Sequence, residues 1–433
     1  MRKLTLPADL QATEVNQLIP RASVSIESVS QAVEALIGEV RSNPLQALQQ
    51  HAQKFDGVVP EHFRVPASAL KVALAELEPG LRSAIEEAIS RVRRVSEATL
   101  PRDTTTLLAE GAEVSQVFVP VDSVGLYVPG GKAVYPSSVI MNAVPAQVAK
   151  VPRIAVCSPA QKGNSGLPNQ TILATCALLG IEEVYAIGGA SAIAAFAYGV
   201  PEIGMEPVRL VTGPGNIFVA AAKRALRGVI GIDSEAGPTE ILIIADAAAK
   251  PSLVAADLIS QAEHDENAAA VLVTDSAELI ERVQAELERQ VPLASNRARI
   301  KEALQGEQSA LVLVTSMSQA VMVANEYATE HLEIHTSNAV EVAQQIRNAG
   351  AVFIGDYSPV SLGDYMAGSN HVLPTSEQAK FGPGLGVHTF LRPQQRIHYS
   401  KQALREISDL VDRFAIAEGL SAHGTAAKIR FED

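Results

Sequence analysis

The first hundred residues carry apolar side chains at helical spacing. In the first such run the apolar positions lie three or four residues apart, at Val33, Leu36, Ile37 and Val40. This spacing places them on one face of a helix, and Ser28 and Gln31 in front of them have the spacing of a capping box. A second helix is expected after Asn43, because Pro44 then takes the first helical position. A third begins near Leu81.

From about residue 114 the chain changes to short apolar runs that alternate with helix patterns. The runs VGLYVPGG, RIAVCSP and RLVTGPGN are followed by a second series, EILIIADAAA, AAAVLVTDS, SALVLVTSM and AVFIGDY. Short β-branched runs between helices are typical of buried parallel strands. Two series predict two α/β domains with a break near residues 234–238. The last fifty residues predict a helix that docks elsewhere, including onto a partner subunit.

Composition and charge exclude several classes of protein. The chain has 433 residues, 47% of them hydrophobic, which is enough for several folded domains. A net charge of −13, 4% aromatic residues and no Trp argue against binding nucleic acid or an anionic membrane. We find no apolar run long enough to span a bilayer and no secretory signal. Cys157 and Cys176 are expected to be inert core thiols in a reducing cytoplasm.

Three glycine turns could approach the phosphates of a nucleotide. They lie at residues 130–131 (GG), 188–189 (GG) and 213–216 (GPGN), each after a predicted strand. Such turns direct backbone N–H groups and a helix N-terminus toward an anion. The full GxGxxG fingerprint is missing, and α/β folds need glycine in these turns in any case. The turns favour a nucleotide only modestly.

A candidate metal site begins with Gln261 and His264, which lie three residues apart on one face of a predicted helix. Asp364, His371 and His423 are further candidates downstream. Nitrogen, amide oxygen and carboxylate ligands suit Zn²⁺ with one position left open for catalysis. The alternative is a solvated polar face, since spacing alone does not show that these residues converge.

The segment EHLEIH, residues 330–335, alternates polar and apolar positions and predicts a strand. His331, Glu333 and His335 would share one face and form a rival metal set. Glu330 and His331 also offer the carboxylate and imidazole that general acid–base catalysis needs. The plain alternative is a solvated edge strand.

Several of these segments together resemble the histidinol dehydrogenase family, the zinc- and NAD-dependent enzymes of histidine biosynthesis. The resemblance runs from about residue 25 to the end. It is carried by VGLYVPGGKAVYPSSVIMNAVPA, VTGPGNIFVAAAKR, DSEAGPTEILIIAD, DLISQAEHD, ATEHLEIHT, GDYSPVSLGDYMAGSNHVLPT and AEGLSAHG. Long blocks in the same order are more specific than any single motif.

The resemblance implies roles for individual residues at the metal end of the site. The residues that match the zinc ligands are Gln261, His264, Asp364 and His423. Glu330 and His331 match the acid–base pair, which leaves Glu333 and His335 as structural residues. Thr239 and Glu418 match further substrate contacts, and the four zinc ligands and His331 would also contact the substrate.

The cofactor contacts of the family fall on Tyr127, Ser191 and Asn216. Two positions depart from the commonest family pattern. Ser191 stands where glutamine is usual, so a direct contact with NAD would be replaced by one through water. Thr239 replaces a serine and keeps the hydroxyl group, so we expect little chemical change. His371 lies in a matching block and is given only a supporting role.

The implied fold is α/β, with two incomplete Rossmann-like domains, as in aldehyde dehydrogenases, and small helical pieces at both ends. The expected boundaries are an N-terminal arm (1–24), a first domain (25–123 with 237–380), a second domain on the nucleotide side (124–236) and a C-terminal tail (381–433). Family members are homodimers whose tails are exchanged. His423 and Glu418 would therefore complete the site of the neighbouring subunit.

The implied reaction is the four-electron oxidation of L-histidinol to L-histidine by two molecules of NAD, with one Zn²⁺ per subunit. His331 would take the hydroxyl proton, and Glu330 would activate the water that attacks a bound aldehyde. Three alternatives stay open at this point. They are a paralogue that oxidises another polar alcohol, a zinc hydrolase without NAD, and a binding protein that has kept the fold.

Overall fold

A computed structural model describes residues 1–19, 21–22, 25–130, 134–235 and 237–432 of the chain. The strands are β1 (Arg2–Thr5), β2 (Thr104–Ala109), β3 (Ala112–Pro120), β4 (Ser123–Tyr127), β5 (Arg153–Ser158), β6 (Glu183–Ala186), β7 (Leu210–Thr212), β8 (Gly231–Ile232), β9 (Glu240–Ala245), β10 (Ala269–Thr274), β11 (Ala310–Leu313), β12 (His331–His335), β13 (Ala351–Ile354) and β14 (Leu391–Tyr399). Gly131, in the first predicted glycine turn, lies outside the described residues.

The helices alternate with the strands over most of the chain. They are α1 (Val15–Leu18), α2 (Glu27–Ser42), α3 (Pro44–His51), α4 (Ala67–Ala75), α5 (Pro79–Ala98), α6 (Pro136–Val148), α7 (Gln170–Leu178), α8 (Gly189–Tyr198), α9 (Ile217–Leu226), α10 (Pro251–Ala262), α11 (Ala277–Gln290), α12 (Arg297–Gln305), α13 (Met317–Tyr327), α14 (Ala339–Ala343), α15 (Val360–Tyr365), α16 (Lys401–Ala417) and α17 (Ser421–Lys428). A π-helical turn, Ala52–Asp56, continues α3.

Two parallel sheets form the body of the molecule. The five-stranded sheet has the order β6-β5-β4-β7-β8, and the six-stranded sheet has the order β1-β11-β10-β9-β12-β13. Apart from β1, both follow the doubly wound order in which the first strand of the series lies at the centre. The predicted α/β class with two Rossmann-like units is therefore confirmed.

Burial on both faces explains why the strands of the six-stranded sheet read as continuous apolar runs. Ile241 and Ile243 of β9 pack into one core cluster, whereas Leu242 and Ile244 pack into another on the opposite face. Helices cover both faces, as parallel sheets require. β12 lies between β9 and β13 in this sheet. The alternative of a solvated edge for EHLEIH is therefore wrong.

The helices of residues 27–98 pack on the five-stranded sheet. α2 contacts α8 and α9, α4 contacts α7, and α5 contacts α6. The predicted grouping of residues 25–123 with 237–380 does not describe this packing, because the apolar faces of these helices are buried against the other unit. The N-terminal strand β1 instead joins the six-stranded sheet beside β11. The boundaries themselves stay a prediction.

The start of α2 differs from the predicted capping box. The helix begins at Glu27 after Ile26, and no side chain caps it. Ser28 already lies in the first turn, where its hydroxyl donates to the carbonyl of Ser25. Its side chain therefore has no free N–H of a later turn to accept from. The predicted start of α3 after Asn43 is confirmed.

A three-stranded antiparallel sheet, β14-β3-β2, links the body to the C-terminal tail. Some of its apolar side chains are exposed, as with Leu107 at 74% and Ile397 at 70%. The tail helix α16 leaves Phe414 73% exposed. The C-terminal region thus presents apolar surface that the single chain does not cover.

The predicted burial of the cysteines is confirmed. Cys157 and Cys176 are fully buried, and burial raises the pKa of both thiols. Among the described residues, no helix combines the length and the apolarity that crossing a bilayer takes.

Candidate active site

A cavity of about 1110 Å³ is lined by residues of both parallel sheets. At one end it is lined by residues that follow strands of the five-stranded sheet, including Gly188 and Asn216. At the other end it is lined by residues that precede strands of the six-stranded sheet, namely Thr239 and Glu330. The cavity therefore has a nucleotide end, at the predicted cofactor contacts, and a metal end, at the predicted zinc ligands.

The metal end brings three of the four predicted ligands together. Gln261 lies on α10, His264 follows that helix, and Asp364 lies on α15. The Nε2 atom of His264 is 3.8 Å from the Asp364 carboxylate. The Nδ1 atom of His264 lies 3.2 Å from the carbonyl of Ser260, which can only accept, so Nδ1 carries the proton. This leaves the Nε2 lone pair for a ligand.

The side chain of Gln261 has a buried oxygen that fits the role of a metal ligand. Gln261 is fully buried, and its Nε2 atom donates to the Thr239 hydroxyl at 2.6 Å. Its Oε1 atom has no hydrogen-bond partner among the residues that the structure describes. An unpartnered buried oxygen is costly unless a ligand satisfies it. Amide oxygen, imidazole and carboxylate fit Zn²⁺ or a similar divalent cation.

The predicted acid–base pair lies next to these ligands. Glu330 directly precedes β12, and its Oε2 atom accepts from the Thr239 hydroxyl at 2.5 Å and from the Glu240 backbone N–H at 3.1 Å. His331 is the first residue of β12, and its Nδ1 atom lies 3.5 Å from Glu330 Oε2. Gln261, Thr239 and Glu330 thus form one hydrogen-bonded series.

Burial shifts the pKa values of both members of the pair toward their neutral forms. It raises the pKa of Glu330 to about 7, although the Thr239 hydroxyl opposes the rise. It lowers the pKa of His331 to about 4, so this imidazole is neutral at pH 7. Neither ring nitrogen of His331 has a hydrogen-bond partner within the described chain. A neutral imidazole and a carboxyl group that titrates near pH 7 are both suited to accept a proton.

The rival metal set of His331, Glu333 and His335 does not form. Glu333 and His335 lie instead beside Asp257 of α10, with ligand atoms that are all within 4.8 Å of one another. Sequence reasoning missed Asp257. The spacing of Asp257, Gln261 and His264, at i, i+4 and i+7, places all three on one face of the helix and could have found it.

His371 lies beside Asp364, and its predicted supporting role stays a prediction. Its Nδ1 atom lies 3.2 Å from the backbone carbonyl of Asp364, and its Nε2 atom lies 3.3 Å from the Ser138 hydroxyl. Burial lowers the pKa of His371. A neutral His371 holds the end of α15, which carries the Asp364 carboxylate.

The single chain does not bring the two tail residues to the cavity. His423 lies on α17, Glu418 follows α16, and both are exposed. Neither lines the cavity, and α17 packs against α16. Within one chain, the metal end therefore contains three of the four predicted ligands.

The nucleotide end contains the three predicted cofactor residues. Tyr127 ends β4, and its hydroxyl accepts from the backbone N–H of Gly189 at 3.0 Å. Asn216 caps α9, where its Oδ1 atom accepts from the N–H of Phe218 at 3.0 Å. Ser191 lies in the first turn of α8. The N-termini of α8 and α9 thus lie at this end, an arrangement suited to phosphate.

The side chain of Ser191 is engaged by a histidine that the sequence analysis did not identify. Its hydroxyl lies 2.8 Å from Nδ1 of His51, whose Nε2 atom lies 2.7 Å from the Glu39 carboxylate. Ser191 and His51 are both buried and both line the cavity. No sequence signal connects residues 140 positions apart.

Comparisons with known proteins agree with this geometry. The model of the histidinol dehydrogenase family matches residues 19–431. Histidinol dehydrogenase of Thermobifida fusca is 56% identical over 98% of this chain and 95% of its own length. The enzyme of Corynebacterium efficiens is 53% identical over 97% of this chain and 93% of its own length.

Solved structures give the same result for the fold. Histidinol dehydrogenase of Elizabethkingia anophelis superimposes with a TM-score of 0.93 at 31% identity, covering 100% of this chain and 98% of that one. Betaine aldehyde dehydrogenase of Staphylococcus aureus superimposes with a TM-score of 0.50 at 14% identity, covering 86% of this chain and 83% of that one. The second likeness concerns the fold alone.

Proposed function

Because the chain belongs to the histidinol dehydrogenase family, which catalyses the NAD-dependent oxidation of histidinol to histidine, we propose that its cavity carries out both oxidation steps on L-histidinol. The observation that carries this assignment is the series Gln261–Thr239–Glu330. It links the unpartnered oxygen of a candidate metal ligand to a buried carboxylate beside the His331 imidazole.

Gln261, His264 and Asp364 are the residues that would hold Zn²⁺, which the family uses together with NAD. When bound, the zinc ion supplies Lewis-acid binding for nitrogen donors of the substrate. The chain's own contribution is to bring the His264 imidazole within 3.8 Å of the Asp364 carboxylate, with Gln261 on the last turn of α10 just before His264. The site offers the amide oxygen of Gln261, the imidazole of His264 and the carboxylate of Asp364, a set of donor atoms that suits a divalent cation.

His331 and Glu330 would move the protons of the two steps. His331, neutral at pH 7, would accept the hydroxyl proton of the alcohol. Glu330 would then accept a proton from the water that adds to the aldehyde. NAD, when bound, would supply the hydride acceptor for both oxidations. The Thr239 hydroxyl and the Glu240 N–H hold the Glu330 carboxylate in place for this transfer.

NAD would lie across the nucleotide end. The N-termini of α8 and α9 would hold its phosphates. The Oδ1 atom of Asn216 caps α9, which leaves the amide N–H₂ group of that side chain to bind a ligand. Tyr127 holds the turn at Gly189 through its hydroxyl. Ser191 contributes through its contact with His51 or through water, since its hydroxyl already lies against that ring.

A second copy of the chain would supply His423 and Glu418. The exposed Phe414 of α16 and the exposed Leu107 and Ile397 of the antiparallel sheet support this arrangement, because a homodimer would cover them. The expected enzyme is thus a homodimer with shared sites. Its two free, buried thiols and its biosynthetic reaction favour the cytoplasm as its location.

The chemistry is tested by incubating zinc-loaded protein with limiting L-histidinol and excess NAD. Two NADH per histidinol, with histidine as the product, are expected. One NADH would mean that oxidation stops at the aldehyde. None, in protein that holds zinc, would indicate a paralogue with another alcohol as its substrate.

The shared site is tested by measuring histidine formation after two variants that should each lack it, Glu330→Gln and His423→Ala, are mixed, dissociated and reassociated. If the tail crosses between subunits, each mixed dimer contains one intact site, so random pairing restores about a quarter of the original activity. A mixture that stays inactive, although mixed dimers form, would place His423 in the site of its own chain.

A further inference from the structure

A second buried polar cluster lies at the far end of β12 from the acid–base pair. The Nε2 atom of His335 is 3.3 Å from the Glu333 carboxylate and 3.5 Å from the Asp257 carboxylate. Glu333 is fully buried and His335 is nearly so. The proposed mechanism uses none of these three side chains.

The same cluster also contacts α15. The Oε1 atom of Glu333 accepts a hydrogen bond from the backbone N–H of Val360 at 2.6 Å. Val360 is the first residue of α15, and Asp364 lies one turn further along that helix. Glu333 therefore ties the start of the helix that carries a proposed zinc ligand to β12.

Asp257 connects the cluster to the third element of the site. It lies on α10, one turn before Gln261 and two turns before His264. α10 carries Gln261 and leads directly to His264, α15 carries Asp364, and β12 begins at His331. The three side chains of the cluster thus join the elements on which the metal end is built.

A metal ion at this cluster would be the alternative reading. Burial alone would lower the pKa of His335, but the carboxylates of Asp257 and Glu333 outweigh it and raise that pKa to about 10. The imidazole is then a cation between two carboxylates, and its Nδ1 atom lies 3.5 Å from Asp356. Binding a metal would require loss of this proton, and the imidazolium already supplies a positive charge between the carboxylates.

We propose that Asp257, Glu333 and His335 form an ion-pair clamp that positions α10 and α15, and so sets the relative placement of Gln261, His264 and Asp364. This inference rests on the proposed function, because it assumes that these three residues hold zinc. The three members of the clamp are positioning residues, since none of them touches the cavity. Outer residues that orient metal ligands typically change metal affinity 10- to 100-fold when they are replaced.

The test uses the homodimeric enzyme with Glu333→Gln as the main variant. Glutamine keeps the volume and an oxygen for the Val360 N–H but removes the charge that pairs with His335. Glu183→Gln is the control, because Glu183 is also a strand glutamate in an ion pair, with Arg153 at 2.6 Å, but it lies in the other parallel sheet and is only partly buried. Zn²⁺ affinity is measured by competition with a chromophoric chelator, and the visible spectrum of the Co²⁺-loaded protein reports ligand geometry.

The expected result for Glu333→Gln is a zinc affinity lower by about 10-fold or more and an altered Co²⁺ spectrum. The KM of Glu333→Gln for NAD should not change. The zinc affinity of the control, Glu183→Gln, should not change either. If Glu333→Gln does not fold, Asp257→Asn serves instead, because it leaves the Glu333–Val360 bond intact.

A lower melting temperature with unchanged zinc affinity and spectrum would reduce the cluster to a merely stabilising role and overturn the clamp. Two metal ions per chain in the original protein, falling to one in Glu333→Gln, would also overturn it in favour of a second metal site. Zinc binding without oxidation of histidinol would refute the proposed function and leave the clamp standing. Absence of zinc binding in the original protein would overturn both.

Discussion

In the five-stranded sheet, the residues that face the cavity follow the strands. Tyr127 ends β4, and the turns that begin α8 and α9 come after β6 and β7. In the six-stranded sheet the order is reversed, because Thr239 precedes β9 and Glu330 precedes β12. Two units with the same strand order therefore present opposite ends to one cavity.

The two ends offer different chemistry for a physical reason. The carboxyl ends of parallel strands lead into helix N-termini, whose N–H groups suit the phosphates of a dinucleotide. The C-terminus of α10 lies near the amino ends of β9 and β12. Because a helix C-terminus carries partial negative charge, it favours a cation. At the carboxyl end of the six-stranded sheet, where this topology usually holds a ligand, the structure places His335 and its carboxylate neighbours.

The largest effect that separates the two ends is expected from Glu330→Gln, at the amino end of β12, which should lower the reaction rate without changing NAD binding. Glutamine keeps the bond from Thr239 but cannot accept a proton, and losing a general base typically costs about 10²- to 10⁴-fold in rate. We expect this loss in the oxidation of the aldehyde and a much smaller one in the oxidation of the alcohol. Separate rate measurements with L-histidinol and its aldehyde test it, and the KM for NAD should not change. Equal losses in both halves would remove the water-activating role from Glu330.

The corresponding substitution at the nucleotide end is Gly213→Ala, which should affect NAD binding and not zinc binding. Gly213 has a φ of +117°, and an added Cβ would collide with the backbone carbonyl of Tyr127. Strained backbone and overpacking together should lower the free energy of unfolding by about 2–4 kcal/mol. NAD binding should weaken, whereas zinc content should persist. Gly228→Ala is the control, since its φ of +101° is similar and nothing lies within 4 Å of its Cβ position. Equal destabilisation in both variants would mean that the φ angle alone matters.

The pH dependence should distinguish the two ends less strongly. Glu330 works as a base only when ionised, and burial raises its pKa to about 7 from the ordinary 4.5. A nearby divalent cation would lower it, so we expect an acid limb between these values. Below it, the rate of aldehyde oxidation falls about tenfold per pH unit, while the Kd for NAD stays constant. Steady-state profiles from pH 5 to 8 test this, and a limb that persists in Glu330→Gln would assign it to another group.

The strands and most helices could be predicted because burial leaves a trace in adjacent residues. β9 shows this trace as a continuous apolar run, since both faces of the sheet are covered. Contacts between distant segments leave no such trace. His264 and Asp364 lie 3.8 Å apart although 100 positions separate them in the chain, and spacing alone did not show that they meet. The side-chain capping predicted at Ser28 failed because the helix begins before it.

The smallest expected effect is at Ser191, where the nucleotide end depends on a contact that local sequence does not show. Its hydroxyl lies 2.8 Å from Nδ1 of His51, so one of its hydrogen bonds is already made within the chain. We expect Ser191→Ala to raise the KM for NAD by about fivefold at most, the value of one hydrogen bond, with kcat for both steps unchanged. His51→Ala should have a similar effect, and the double variant should be no worse than either, because residues that act as a pair are not additive. Additive losses in this cycle would mean that each side chain contacts NAD by itself. A rise in the KM for NAD much above tenfold in Ser191→Ala alone would mean that the Ser191 hydroxyl bonds the cofactor directly.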